Sequence, residues 1–314
     1  MTVTDLPPRG GFVHPALFYA SDEEYLRVLV PFLTDGLALG YPVAAAVPRE
    51  RLALLREALG DAATDVLLID MEVEGRNPGR IIPGVLRRFA DGHPEGRVRI
   101  VGEPVWAGRS DVEYPACAQH EALINLAFAG RDVSIVCPYD TSALDERALT
   151  DALATHPEVW EASRRYDSGH YDPDDVVVRY NRVLDVPADA ALLSVATTAD
   201  LRGARRFATA EAERLGLSAE RTAQVALVVT ELVTNSLRHT GAGCRLAVWR
   251  DPDHVVCGVR DGGRLTDPLA GRRPAAPDQD GGRGLLVVNH LADLVRTHTS
   301  PDGTSVHAFL RLAD

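Results

Sequence analysis

The chain of 314 residues contains no lysine; all 33 of its basic residues are arginine. That removes one class of chemistry at once, because no ammonium is available for a Walker A phosphate loop or for a Schiff base. Cysteine is scarce as well. Cys117, Cys137, Cys244 and Cys257 are widely spaced and form no C-x-x-C pair, which fits reduced, buried thiols better than a disulfide framework or a zinc site. There is no excess of positive charge: the net charge is -12 and the pI about 5.3. A sequence-independent nucleic-acid binder needs clustered cations to neutralise phosphates, so direct nucleic-acid binding is not expected, nor is adsorption to an anionic membrane. No apolar run approaches the roughly 18 residues that span a bilayer. Met1–Gly11 has neither the basic start nor the apolar centre of a signal peptide. The expectation is a cytoplasmic protein with no membrane association.

What is present is ordinary globular composition, 46% hydrophobic and 25% charged, over a length that suits two domains. The first half alternates two kinds of segment. Apolar runs at Ala16–Ala20, Val43–Val47, Val66–Ile69, Val98–Val101 and Val133–Cys137 predict strands. Amphipathic stretches at Asp22–Leu39, Arg49–Leu59, Arg80–Ala90 and Cys117–Phe128 predict helices. Near-continuous apolar strands alternating with helices indicate a parallel sheet covered on both faces, a three-layer α/β domain. Pro157 to Pro187 breaks the rhythm. Arg164–Asp175 is rich in Tyr, Asp and Gly and reads as part of a connection, with one strand-like run at Val176–Val178.

The second half has another grammar. A strand at Leu192–Val195 precedes two long helices, Ala199–Leu215 and Ala219–His239, with Gly216 as a stop and Ser218 as an N-cap. Strands follow at Arg245–Arg250 and Val255–Arg260, then a Gly- and Pro-rich loop from Asp261 to Gly284. A helix at Leu285–Leu291 and strands at Leu294–Thr299 and Ser305–Leu312 close the chain. Helices on one side of a mixed or antiparallel sheet make a two-layer α/β sandwich.

On the helix Ala219–His239, Glu231, Asn235 and His239 are spaced i, i+4, i+8 and form a polar stripe beside the apolar face. Alone, this stripe reads equally as the edge of a metal-holding site or as a solvated border. Two glycine clusters shift the balance. Asp261-Gly262-Gly263 ends a strand, where an acid can accept from an exocyclic amine and the glycines admit a ring. Gly281-Gly282-Arg283-Gly284 stands directly before a helix, where free N–H groups and the helix dipole favour phosphate. Either cluster alone reads as a turn; the ordered set of three is specific.

These residues resemble the GHKL (Bergerat) ATP-binding fold over about residues 190–313. Glu231-Leu232-Val233-Thr234-Asn235-Ser236-Leu237-Arg238-His239 resembles its N box, Asp261-Gly262-Gly263 its G1 box and Gly282-Arg283-Gly284-Leu285 its G2 box. Gly303-Thr304 sits where the family carries a phosphate-side threonine. The branch is similar to the RsbW/SpoIIAB-like anti-sigma factors with serine-kinase activity. The resemblance implies ATP and Mg²⁺ as cofactors. Asn235 would hold Mg²⁺ through the phosphates, and Glu231 would be the catalytic group that orients or deprotonates the attacking hydroxyl or water. Asp261 would read the adenine amine and Gly263 would admit the ring. Gly282, Arg283 and Gly284 would form the phosphate loop, with Arg238, His239 and Thr304 beside it and Arg264–Gln279 as a lid. No phosphoacceptor helix pair of a histidine kinase is present, so His239 reads as a structural or phosphate-side group.

In the first half, polar groups follow the predicted strands: Glu103 and Trp106 after the fourth, Cys137 and Tyr139 after the fifth. His14 precedes the first, and Glu113, His120, Glu121 and Asn125 lie on or before one helix. Loops at the carboxyl ends of parallel strands converge, so His14, Glu103, Trp106, His120, Glu121, Asn125, Cys137 and Tyr139 are candidates for one pocket. Cys137 reads more readily as a buried strand-end thiol than as a ligand and Trp106 as packing rather than a stacking platform, and a metal held by His120, Glu103 and Cys137 lacks a signature spacing. No glycine loop follows the first strand, which disfavours a dinucleotide there. The stretches Gly102–Trp106, His120–Asn125 and Cys137–Asp140 resemble the MEDS sensory domain over about residues 12–165, which implies binding of a small-molecule effector without naming it.

The organisation expected is a sensor at 12–165, a connection at 166–188 and an ATP-binding domain at 189–314. The function expected is an effector-controlled anti-sigma-type serine/threonine kinase. Its partners would be a sigma factor, a STAS-type anti-sigma-factor antagonist, or both. The alternative is an ATP-gated partner-binding module without turnover. A third reading makes the first domain an enzyme, using the Glu103, Glu113, His120 and Glu121 group. Related output domains pair, so a homodimer is compatible, although no interface is legible.

Overall fold

The structure is a computed structural model that describes residues 11–274 and 282–312. Gly281 and the 275–279 part of the expected lid lie outside those residues. The chain divides into two compact units, Met1–Tyr180 and Asn181–Asp314. Among the described residues, no helix is long and apolar enough to cross a membrane.

The first unit opens with β1 (Pro15–Tyr19), α1 (Asp22–Ala38), β2 (Val43–Val47), α2 (Arg49–Leu59) and β3 (Val66–Asp70). Short helices α3 (Met71–Glu74) and α4 (Pro78–Arg80), a π-helical stretch at Ile81–Leu86 and α5 (Arg87–Asp91) follow. The unit continues with β4 (Val98–Gly102), α6 (Tyr114–Ala127), β5 (Val133–Asp140), α7 (Glu146–Thr155), β6 (Glu158–Trp160), β7 (Arg165–Asp167) and α8 (Pro173–Arg179). The strands lie in the order β3-β2-β4-β5-β1-β6-β7, parallel throughout except for the antiparallel β6–β7 pair.

Local chemistry explains the entries into these helices. Ser21 caps α1 by accepting from the Glu24 N–H, and three acids occupy the first turn, where the helix dipole favours them. Leu17, Tyr19, Val43, Ala45, Val47, Val101 and Val136 pack with α1 and α2 into one core cluster. Side chains alternate along a strand, so Ala16, Ile135 and Cys137 face the opposite layer, where α6 lies. The domain is therefore three-layered α/β.

Four local expectations change. Val176–Val178 is helical within α8, because Asp172 caps it, Pro173 sits at its first position and Asp174 and Asp175 complement the dipole. The helix expected at Arg80–Ala90 is divided by the π-helical stretch. Cys137–Asp140 is not a loop after β5 but its continuation, held by parallel pairing of Ala16–Tyr19 with Cys137–Asp140. Within 166–188, expected to connect the domains, β7 pairs with β6 and α8 belongs to the first unit.

The second unit comprises β8 (Ala191–Val195), α9 (Leu201–Arg214), α10 (Ala219–Thr240), β9 (Cys244–Asp251), β10 (His254–Asp261), α11 (Gly284–Leu291), β11 (Leu294–Ser300) and β12 (Gly303–Arg311). Its sheet runs β11-β12-β10-β9-β8 and is antiparallel at every pairing. Alanines 204, 208 and 212 of α9 and Val225, Val228, Val229, Leu232 and Val233 of α10 are buried against Leu246, Val248, Val255, Cys257 and Val259. Ser218 caps α10, and Gly241 ends it with φ 62, a left-handed stop that glycine adopts without a Cβ penalty. The result is a two-layer α/β sandwich.

Candidate functional site

In the second unit, α10 and the ends of β10 and β12 surround a cavity of about 840 Å³. Asn235, Arg238, His239, Asp261, Gly263, Gly282, Gly284 and Thr304 all line it. Glu231 borders this group through Gly284: a Cβ added there would stand 2.7 Å from Glu231 Oε2 and 2.9 Å from Asn235 Nδ2. The start of α11 therefore lies against the polar stripe of α10, close enough that a side chain there would displace the ends of Glu231 and Asn235. Gly282 has φ 77, a conformation glycine adopts freely. Arg283 is exposed and precedes α11.

Asp261 is held from two sides. Its Oδ2 accepts from Ser236 Oγ at 2.6 Å and its Oδ1 from the Gly263 N–H at 2.8 Å. A carboxylate has about four lone-pair sites, so capacity remains to accept from a ligand amine. Thr304 Oγ1 donates to Gly263 O at 2.8 Å and meets Thr299 Oγ1 at 2.9 Å. The Leu265 N–H donates to both threonine hydroxyls. Gly303 has φ 135, and a Cβ there would fall 2.2 Å from Asp261 O, so the β12 turn must be glycine. Residues 264–274 of the expected lid border the cavity in part, through Arg264–Asp267, Leu269–Gly271 and Arg273–Pro274. Asn289 of α11 donates to Gly271 O.

Ser236, inside the N-box-like segment, Leu269, inside the expected lid, and Thr240 also line this cavity, and Thr299 pairs with Thr304, although the motifs assign none of the four a role. Ser236 and Thr240 each follow a stripe residue, Asn235 and His239, by one position, and that is the signal by which they could be found. Nothing local marks Thr299 or Leu269.

In the first unit, the eight candidates divide. Glu103 lies just past β4, buried, with Tyr19 Oη at 3.3 Å and Tyr25 Oη at 3.4 Å donating to its carboxyl. Arg51 covers both tyrosine rings and pairs with Asp22 and Asp140. Burial, which outweighs the opposing charge of Arg51, pushes the Glu103 carboxyl up to about 8.

His14, Glu121, Asn125 and Cys137 form a separate cluster on the α6 side, and it includes His156. His14 Nε2 and His156 Nε2 lie 3.4 and 3.3 Å from Glu121 Oε2. Cys137 Sγ is 3.4 Å from His14 Nε2, and the two imidazole rings are 4.1 Å apart. Burial, then the charge of His156, lowers His14 to about 4. Burial and then Glu121 raise the Cys137 thiol well above its ordinary value.

Tyr139 packs edge-on against the His156 ring. Trp106 lies under the Arg109 guanidinium at 3.8 Å, and Arg109 also donates to Pro104, Arg76 and Gly75 carbonyls; this arrangement is packing. His120 is buried on α6, one residue and therefore about 100° round the helix from Glu121. The single carboxyl-end pocket expected is not what the structure contains. His14 precedes β1 and Cys137 pairs level with Ala16, so both lie nearer the amino end of β1 than Glu103's neighbour Tyr19 does. Glu113 contacts Ser110 and Arg109 instead of a shared acid/base pair.

Residues 13–157 match the family described as MEDS, the MEthanogen/methylotroph, DcmR Sensory domain. Residues 194–309 match the histidine kinase-like ATPase domain. The chain joins a MEDS domain to a histidine kinase-like ATPase domain. A sensory domain joined to an ATPase-type domain is the organisation of a signalling regulator. No curated protein is a significant match. Among solved structures, the SiaB-SiaC complex from Pseudomonas aeruginosa is similar at 13% identity and TM-score 0.32, covering 38% of this chain and 88% of that chain. In the ATPase domain the G1-like and N-box-like segments line one cavity; in the MEDS domain the polar residues form two clusters.

Proposed function

We propose that the ATPase domain binds ATP with Mg²⁺ and transfers its γ-phosphoryl group to a serine or threonine of an anti-sigma-factor antagonist, under control of an effector bound by the MEDS domain. The observation that carries this reading is the closure of Gly284 onto Glu231 and Asn235 at the cavity that Asp261 and Gly263 line. The residues fit a nucleotide: a cavity of suitable size, an acid able to accept from an adenine amine, and glycines where side chains would collide.

In this reading Asp261, fixed by Ser236, orients the base, and Gly263 leaves space for the ring. Asn235 supplies an oxygen ligand to the ion, suited to Mg²⁺. Bound with ATP, Mg²⁺ neutralises phosphate charge. Gly282 and Gly284 bring backbone N–H groups toward the phosphates at the start of α11, where the helix dipole adds to attraction. Arg238 and His239, exposed at the rim, add positive charge or donors. Glu231 orients the acceptor hydroxyl and takes its proton. Phosphoryl transfer depends mainly on positioning and charge stabilisation, so this set suffices. The protein works in the cytoplasm in this reading, with a sigma factor or a STAS-type antagonist as partner.

The second reading is an ATP-gated binding module without turnover. Labelled ATP, Mg²⁺ and a matching antagonist distinguish the two. The kinase reading expects label on the antagonist, lost in Glu231→Ala while ATP is still bound, and loss of ATP–Mg²⁺ binding in Asn235→Ala. ATP binding with no transfer by the unaltered protein leaves the gated module.

A further inference from the structure

Glu121 reaches the centre of the MEDS domain with a carboxylate that is 1% exposed. Neither of its oxygens has a hydrogen-bond partner among the described residues, and His156 Nε2 has none either. The histidine contacts at 3.3–3.4 Å do not have hydrogen-bond directions. Burying such groups unpaired is costly, because desolvation is not offset by any hydrogen bond, so this arrangement calls for a ligand.

The proton positions identify its sign. Asn125 Nδ2 donates to the Thr155 and Ala122 carbonyls, so its Oδ1 is what faces His14 Nδ1 at 3.1 Å. An amide oxygen only accepts, and His14 Nδ1 therefore carries the hydrogen. His156 Nδ1 lies 2.9 Å from the Ala152 carbonyl, which likewise only accepts. Both rings thus turn an Nε2 lone pair toward the carboxylate and the sulfur of Cys137. Outward N–H bonds to carbonyl-type acceptors are the outer-shell pattern that orients metal-bound histidines.

The distances agree. The ligand atoms of His14, Glu121, Cys137 and His156 all lie within 4.8 Å of one another, and three of the separations are 3.3–3.4 Å. Tetrahedral zinc, with Zn–N and Zn–O near 2.0–2.1 Å and Zn–S near 2.3 Å, sets ligand–ligand edges of about 3.3–3.7 Å. Two imidazoles, a thiolate and a carboxylate suit a borderline d-block ion and not Mg²⁺ or Ca²⁺, which take oxygen shells.

We propose that His14, Glu121, Cys137 and His156 form a tetrahedral site for a divalent transition-metal ion, zinc being the ion the ligand set fits. Four protein ligands and complete burial make it a closed, structural site. It ties the start of β1 to β5, α6 and the corner between α7 and β6. Metal binding deprotonates the Cys137 thiol and releases that proton to solvent.

The test uses the full chain, stripped with a chelator and refilled with Co²⁺ or Zn²⁺. The expected result is one ion per chain, tetrahedral Co²⁺ absorption with a thiolate charge-transfer band, and a higher unfolding temperature with Zn²⁺. The band is expected to vanish in Cys137→Ser and persist in Cys257→Ser, the thiol buried in the other unit. Asn125→Ala, which leaves all four ligands, is expected to weaken Zn²⁺ about 10–100-fold. X-ray absorption of the unaltered zinc protein does not depend on any variant folding, and it is expected to show one sulfur among nitrogen and oxygen neighbours. Substoichiometric metal, a band that survives Cys137→Ser, or a first shell without sulfur overturns the proposal.

Discussion

Ser236 donates a 2.6 Å hydrogen bond to Asp261, so the helix that carries Glu231 and Asn235 also fixes the carboxylate at the end of β10. The N-box-like stripe and the G1-like turn are thereby one mechanical unit: a shift of α10 along its axis would move the Asp261 carboxylate with it. Ser236 is buried, and hydrogen bonds to charged groups contribute about 1.5–3 kcal/mol. Ser236→Ala is expected to lower stability by about that much and to weaken ATP binding. Asp261→Asn is expected to weaken ATP about tenfold or more, since 1.4 kcal/mol is a factor of ten. Calorimetric titration with ATP checks both; unchanged affinity in Asp261→Asn removes that residue from base recognition.

Gly284→Ala separates binding from folding. The new methyl would meet the ends of the Glu231 and Asn235 side chains, which can swing aside at little cost to the fold. The expected outcome is a melting temperature within a few degrees of the unaltered protein and at least tenfold weaker ATP–Mg²⁺ binding. A variant that binds ATP normally would show that α11 does not need this close approach.

Glu103 makes stability depend on pH. Its folded-state pKa, about 8, lies above the ordinary 4.5, because burial favours the neutral carboxyl among Tyr19, Tyr25, Arg51 and Asp140. Between those values the folded chain keeps a proton that the unfolded chain has lost. Stability therefore falls as pH rises through this window, by about 1.4 kcal/mol per pH unit from this group. Glu103→Gln removes the ionisation. Its advantage in melting temperature over the unaltered protein is expected to grow from pH 5 to pH 8; a constant difference across that range contradicts the assignment.

Much of the lining of the cavity in the second unit is legible in the sequence. The stripe at 231, 235 and 239 follows from helical spacing within one segment, and the acid–glycine and glycine runs announce themselves at a strand end and a helix start. Ser236 is harder to read, because a serine on the buried side of an amphipathic helix has no meaning until β10 is laid beside it. The MEDS domain is less legible. Val176–Val178 has a strand's composition, yet Asp172 and Pro173 start a helix there. His156, a lone histidine after a helix, carries no local signal of its role.

By itself the sequence determined most of the element types, the two fold classes and the order of the polar and glycine motifs in the second half, since each depends on periodicity or on residues close together in the chain. Only the tertiary structure decided how the polar residues of the first domain are grouped. Parallel pairing sets Cys137 level with Ala16, strand alternation separates it from the Glu103 side, and α6 and the approach to β6 bring Glu121 and His156 to it. His14 and Cys137 are 123 positions apart; spacing in a sequence cannot encode such a meeting, because it is the sheet order, with β1 inserted between β5 and β6, that creates it.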